Sequence, residues 1–226
     1  MPKFITKIMR QLCYNTRNFG QYQLMNPSSF FIKDGILQGS TFVASPNFNA
    51  RPADFGEISA IIIHNISLPP AQFNQSDGTG THYVKAFFQN KLIATNHPYF
   101  AEICTLQVSA HLFIERDGTV TQFVNFNDRA WHAGISSYLG RANCNDFSIG
   151  IELEGTDHQD YEEIQYEVLS QIIVAIYHAY PATRRQLAGH SDIAPNRKTD
   201  PGKHFDWQKL RSMVAQLYLS TSKQSC

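Results

Sequence analysis

Apolar and polar positions divide the chain at about residue 34, and the ordered patterns lie beyond it. Ile58-Ser59-Ala60-Ile61-Ile62-Ile63-His64 is a short β-branched run that stops at Asn65 and at Pro69-Pro70. Such a run predicts a strand buried on both faces, with His64 where it ends. Phe147–Glu154 alternates instead. Phe147, Ile149, Ile151 and Leu153 take one face, and Ser148, Gly150, Glu152 and Glu154 take the other. A face with two carboxylates and a glycine is expected to look into a polar cleft, with Gly150 allowing close approach. Asp117-Gly118 between Val108–Ile114 and Val120–Val124 predicts a hairpin.

Helical spacing appears at about 81–90 and again from Glu162 to Tyr180. There Ile164, Val168, Leu169, Ile172, Ile173 and Ile176 form a stripe that Pro181 closes. A last helix is expected at about 207–219, with Asp206 as its N-cap and Leu210, Met213, Val214 and Leu217 facing inward. Strands in the middle and helices around them predict one α/β domain, a central mixed β-sheet flanked by helices. Its expected extent is residues 34–220, with a tail at 221–226.

Residues 1–33 read as a loosely ordered or accessory extension, with a short helix at about 4–12. This segment is basic, with no acidic residue before Asp34. Lys7 and Arg10 interrupt its apolar residues, and no small-residue cleavage site follows, so the expectation is a cytoplasmic chain. Met25 is an alternative biological start. The formal net charge of zero disfavours nucleic acid or an anionic membrane as the main partner. Cys13, Cys104, Cys144 and Cys226 show no CxxC spacing and are expected to be free thiols.

Candidate chemistry concentrates in Gly189-His190-Ser191-Asp192-Ile193-Ala194-Pro195-Asn196-Arg197-Lys198-Thr199-Asp200-Pro201-Gly202. Two prolines and the flanking glycines argue against helix here, and almost no apolar side chain argues against a core role. With nine histidines in the chain, one alone is weak evidence. His82, His97, His158, His178 and His204 read as surface or helix residues. His64 at a strand end and His190 opening a constrained loop differ in context. Asp200, ten positions after His190 across two prolines, is preferred as a metal ligand over Asp192, whose two-residue spacing strains a shared ion. A catalytic zinc uses three such ligands and leaves a fourth position open. Trp131-His132 suits a cleft wall or a partly buried tryptophan under a loop.

Four stretches carry a resemblance: Ile63–Pro70, Arg129–Gly134, Cys144–Asp157 and Gly189–Gly202. They resemble the AmpD family of cytoplasmic 1,6-anhydro-N-acetylmuramyl-L-alanine amidases, within the amidase type 2 and peptidoglycan-recognition fold. The likeness runs from about Gly35 to Leu217. It implies one zinc ion per chain on His64, His190 and Asp200, Glu152 as general base, and Lys198 supporting the transition state. The implied reaction is hydrolysis of the amide between the lactyl group of N-acetylmuramic acid and the stem-peptide L-alanine, in peptidoglycan recycling. The implied partner is a small muropeptide bound by a monomer, with Asn65, Trp131 and Arg141 as substrate contacts. Gln107 and Asn143 stand where such sequences often carry arginine, which leaves the stem-peptide preference open. A non-catalytic muropeptide-binding module and an exported cell-wall amidase are the alternatives.

Overall fold

A computed structural model describes residues 30–223. In chain order the strands and helices begin with β1 (Phe31–Lys33), β2 (Ile36–Gln38), β3 (Thr41–Phe42), β4 (Phe48–Ala50), β5 (Ala60–Ile66), α1 (Tyr83–Phe88) and α2 (Phe100–Ile103). β6 (Leu112–Ile114), β7 (Val120–Gln122), β8 (Asp128–Ala130), β9 (Ser137–Tyr138), β10 (Arg141–Ala142) and β11 (Ser148–Glu154) follow. The chain then makes α3 (Glu163–Ala179), β12 (Leu187–Gly189), α4 (His190–Ile193) and α5 (Trp207–Lys223). The helix expected at 4–12, the alternative start at Met25, and Cys13 and Cys226 lie outside the described residues. Cys104 and Cys144 are free thiols.

Six strands form the central sheet in the order β12-β5-β11-β6-β7-β3. β12, β5, β11 and β6 run parallel, β6 and β7 form the antiparallel hairpin turned by Asp117-Gly118, and β3 adds parallel to β7. The sheet is mixed, as its pattern predicts. Phe31–Lys33, grouped on sequence with the extension, pairs antiparallel with β2.

The period of two decides what each sheet face meets. Ile61 and Ile63 of β5 join Ile149, Ile151 and Leu153 of β11 on one face. There they pack on Leu169, Ile172, Ile173 and Ile176 of α3 and Leu210 and Val214 of α5. Hydrophobic burial of this kind contributes about 25 cal/mol per Å² of apolar surface. Ile164 falls outside the expected stripe and is partly exposed. Gln165 caps α3 by accepting the Glu162 N–H at 3.0 Å, and Asp206 caps α5 by accepting the Lys209 N–H at 2.9 Å.

The opposite face is covered by α1, which packs Val84, Phe87 and Phe88 on Phe113 and Phe123, and by the loops around Ala133 and Cys144. Here the expected open cleft face of β11 is corrected. Ser148, Gly150 and Glu154 are buried, and only Glu152 is partly exposed. Loops rather than a helix cover the strand, and they bring their own polar groups. Glu154 accepts from His82 Nε2 at 3.1 Å and from the Asn74 and Arg116 N–H groups. His82, read as a surface or helix residue, is buried. It caps α1 by accepting the Val84 N–H on Nδ1. The opening of the 189–202 segment is a helical turn, α4, because Ile193 and Ala194 bury against Ala60, Ile62 and Ala188.

Candidate metal centre and active site

Three adjacent parallel strands deliver the central groups at their C-terminal ends, where sites assemble in open sheets. Glu152 of β11 lies in register with His64 of β5, and Gly189 of β12 lies in register with Ile63, so that His190 follows beside His64. His64 sits two residues before the end of β5. Asp200 returns to this point, and its carbonyl accepts the Ser191 N–H at 3.0 Å.

Three atoms converge. His64 Nδ1 is 2.9 Å from His190 Nδ1, and each is 3.1 Å from Asp200 Oδ2. Among the described residues this is the one group with the donor set and spacing to hold a metal ion. The protons support that reading. His190 Nε2 donates to the Ala133 carbonyl at 3.1 Å, which leaves Nδ1 of a neutral ring as a bare lone pair. A bare nitrogen and a carboxylate oxygen turned on one point at these distances call for a shared cation. Two imidazoles and a carboxylate are a zinc donor set.

The electrostatics agree. Burial pushes His64 down to about 4, against the opposing pull of Asp200. Burial works against the Asp200 carboxylate, but the His190 and His64 rings turned on it outweigh that and hold its pKa well below the usual range. Glu152 behaves oppositely. Burial and the neighbouring Asp200 charge raise it well above an ordinary carboxyl, with the Lys198 ammonium opposing. Its Oε2 is buried with no hydrogen-bond partner among the described residues. Such an orphaned oxygen is costly in a core and useful in an active site.

Glu152, His190, Asp200, Lys198 and Trp131 line one cleft of about 380 Å³. A second lobe shares Asn65, Lys198 and Asp200 and continues past His158 and Arg197. Trp131 is half-buried and donates its Nε1–H to Asn49 Oδ1 at 2.7 Å. Asn65 donates to Asp157 Oδ1 at 2.8 Å and to the Pro201 carbonyl, linking the β5 end to the loop. Arg141 is not brought to the cleft. Its guanidinium stacks 3.9 Å above the Phe147 ring and donates to Ser59 Oγ and the Phe55 carbonyl. Gln107 and Asn143 are exposed and line neither lobe. Asp192 and Arg197 brace the loop. Asp192 accepts the Gly189 N–H, and Arg197 donates to the Ala133 and Ile135 carbonyls.

A buried layer beneath the cleft was not anticipated. His132 Nδ1 lies 2.9 Å from His64 Nε2, and His111 stacks beyond it. His111 accepts the Gly150 N–H on Nδ1 and donates from Nε2 to the Asp128 carbonyl. Burial and the Arg51 charge push it down to about 3. Burial also pushes His132 well down, helped by His64 and His111. The available signal was Gly150. A Cβ there would lie 2.3 Å from His132 Cγ, so the missing side chain is the space the imidazole occupies.

An α/β sheet that gathers these groups in a cleft at its strand ends is the framework of a hydrolytic enzyme. The chain belongs to the N-acetylmuramoyl-L-alanine amidase family, whose model matches residues 54–203. A 1,6-anhydro-N-acetylmuramyl-L-alanine amidase AmpD of Haemophilus influenzae is 50% identical over 184 residues, covering 81% of this chain and 96% of that protein. The crystal structure of an AmpD selenomethionine derivative superposes with a TM-score of 0.76 at 47% identity, covering 81% of this chain and 99% of the other. The N-acetylmuramyl-L-alanine amidase AmiD of Escherichia coli, solved with anhydro-N-acetylmuramic acid-L-Ala-D-γ-Glu-L-Lys, gives a TM-score of 0.50 at 26% identity. That match covers 82% of this chain and 65% of the other. Among the described residues no helix is long and apolar enough to cross a membrane.

Proposed function

We propose that this chain is a zinc-dependent 1,6-anhydro-N-acetylmuramyl-L-alanine amidase that acts on soluble muropeptides in the cytoplasm as a monomer. The observation that carries the reading is the triangle of His64 Nδ1, His190 Nδ1 and Asp200 Oδ2 beside the unpartnered Glu152 oxygen. The likeness to AmpD of Haemophilus influenzae over nearly its whole length supports the substrate class.

His64, His190 and Asp200 would hold one zinc ion, whose chemistry there would be to acidify water toward a pKa of about 7 and to polarise the scissile carbonyl. Glu152 accepts the proton of the attacking water and hands it to the leaving L-alanine nitrogen. Its raised affinity for a proton suits that shuttle better than an ordinary carboxylate would. Lys198 offsets the negative charge that builds on the carbonyl oxygen, from a position where its field reaches both Glu152 and His64. Asn65 and Trp131, which line the same cleft, contact the substrate. The two lobes meeting at Lys198 and Asp200 accommodate a sugar on one side of the cut bond and a peptide on the other.

The test is to incubate zinc-loaded protein with anhydromuropeptide and with intact sacculi and to identify products by mass. Release of free peptide from the soluble fragment is expected. Cleavage of sacculi alone would overturn the recycling assignment in favour of an exported cell-wall amidase, and binding without cleavage would favour a sensing module.

A further inference from the structure

We propose that His132 is a positioning residue that keeps the proton of His64 on Nε2 and so presents the Nδ1 lone pair to the metal. The inference rests on the zinc reading of the site, and the positions of the protons along one buried chain of hydrogen bonds carry it.

The chain ends on a carbonyl, which only accepts. Ser148 Oγ lies 2.6 Å from the Cys144 carbonyl oxygen, so the single hydroxyl hydrogen is committed there. Toward His132 Nε2, at 3.3 Å, Ser148 Oγ must then accept. His132 therefore carries its hydrogen on Nε2. Among the described residues none of its hydrogen-bond partners is a carboxylate, so the buried ring stays neutral and its Nδ1 is an acceptor. The atom 2.9 Å from that acceptor is His64 Nε2, which must donate. His64 Nδ1 is left bare, facing His190 Nδ1 and Asp200 Oδ2.

The neighbouring peptide does the same for the other imidazole, since the Ala133 carbonyl takes the Nε2 hydrogen of His190. Both devices hang from one side chain. Asn145 Oδ1 accepts the N–H of His132 at 3.1 Å and that of Ala133 at 2.8 Å. Residues 132–133 thus orient both histidine ligands, and Gly150 leaves the room His132 needs. Partners of this kind typically change metal affinity 10- to 100-fold when removed.

Two measurements on the full chain test this. Long-range ¹H–¹⁵N correlation of histidine-labelled, zinc-stripped protein in mildly alkaline solution should place the His64 and His132 hydrogens on Nε2. A His64 hydrogen on Nδ1 would overturn the proposal in the unmodified protein, whatever a variant does. Competition with a chromophoric zinc chelator should then show about 10- to 100-fold weaker binding in His132→Leu. His132→Gln should recover part of the loss, because its amide can accept from His64 and donate to Ser148. Unchanged affinity in His132→Leu, or no recovery by glutamine, would sink the idea. If the unmodified protein binds no zinc, the zinc reading fails, while the proton positions still decide the role of His132.

Discussion

In the proposed mechanism Glu152 and Lys198 each carry a step alone. Neither is one of the three proposed metal ligands, so each can be removed without taking a ligand away. Glu152→Gln is expected to retain zinc stoichiometrically and to lose about 10²- to 10⁴-fold in kcat. Lys198→Ala should lose about 10²- to 10³-fold, the cost of removing one donor to a developing oxyanion. Metal analysis beside steady-state kinetics on anhydromuropeptide separates turnover from binding, and a near-normal kcat in either variant would remove that residue from the mechanism. Asp200→Asn differs, because it withdraws the charge at the apex of the triangle. Here zinc content itself should fall. Asp200 could be preferred over Asp192 on sequence because two prolines fold the loop back. That Asp192 instead accepts the Gly189 N–H could not be read there.

At the scale of elements, β11 is the instructive case. Its alternation was legible because side-chain direction in a strand follows from a period of two. What covered its polar face was not, because the covering loops come from distant parts of the chain, around residues 74, 82, 132 and 145. The result is a buried polar layer, fully hydrogen-bonded at Ser148 and Glu154, and open only at Glu152. Gly150→Ala probes it. The added Cβ would meet the His132 ring, which packs on His64 and His111 and has little room to retreat. Overpacking of this kind costs about 1–3 kcal/mol. The variant should melt lower and also bind zinc more weakly, which calorimetry and chelator competition would register. Arg141, expected as a substrate contact, instead lies on Phe147 and the loop at Phe55, outside both lobes of the cleft.

For the whole molecule, the buried imidazoles govern the response to pH. Burial holds His64 near 4, His111 near 3 and His132 well below its usual value, whereas an unfolded histidine titrates near 6.5. Between those limits the unfolded chain binds more protons than the folded one, so stability falls as pH is lowered from about 6.5 toward 4. Glu152, whose folded pKa is raised, opposes this by one proton over part of that range. Three histidines against one carboxyl leave a slope of roughly 2–3 kcal/mol per pH unit. Zinc-stripped protein melted across this range should show the decline, and a flat profile would contradict buried neutral histidines. Metal adds to stability by mass action. Free zinc at about 1,000 times its Kd contributes about 4 kcal/mol, so chelation should lower Tm by roughly 10 °C.

The sequence by itself determined the elements and picked out the candidate groups. A β-branched run, a clean alternation, an Asp-Gly turn and two apolar stripes specify an α/β sheet, because burial and backbone geometry act over a few residues. His64, His190, Asp200 and Glu152 stood out for the same local reason. Tertiary structure alone decided how they meet: the register that sets Glu152 beside His64, and the imidazole that fills the space above Gly150. It also excluded Arg141 from the cleft. Those outcomes depend on contacts that local patterns do not specify, such as Glu152 beside His64 and Arg141 on the Phe55 loop, and no local pattern encodes which nitrogen of a histidine keeps its proton.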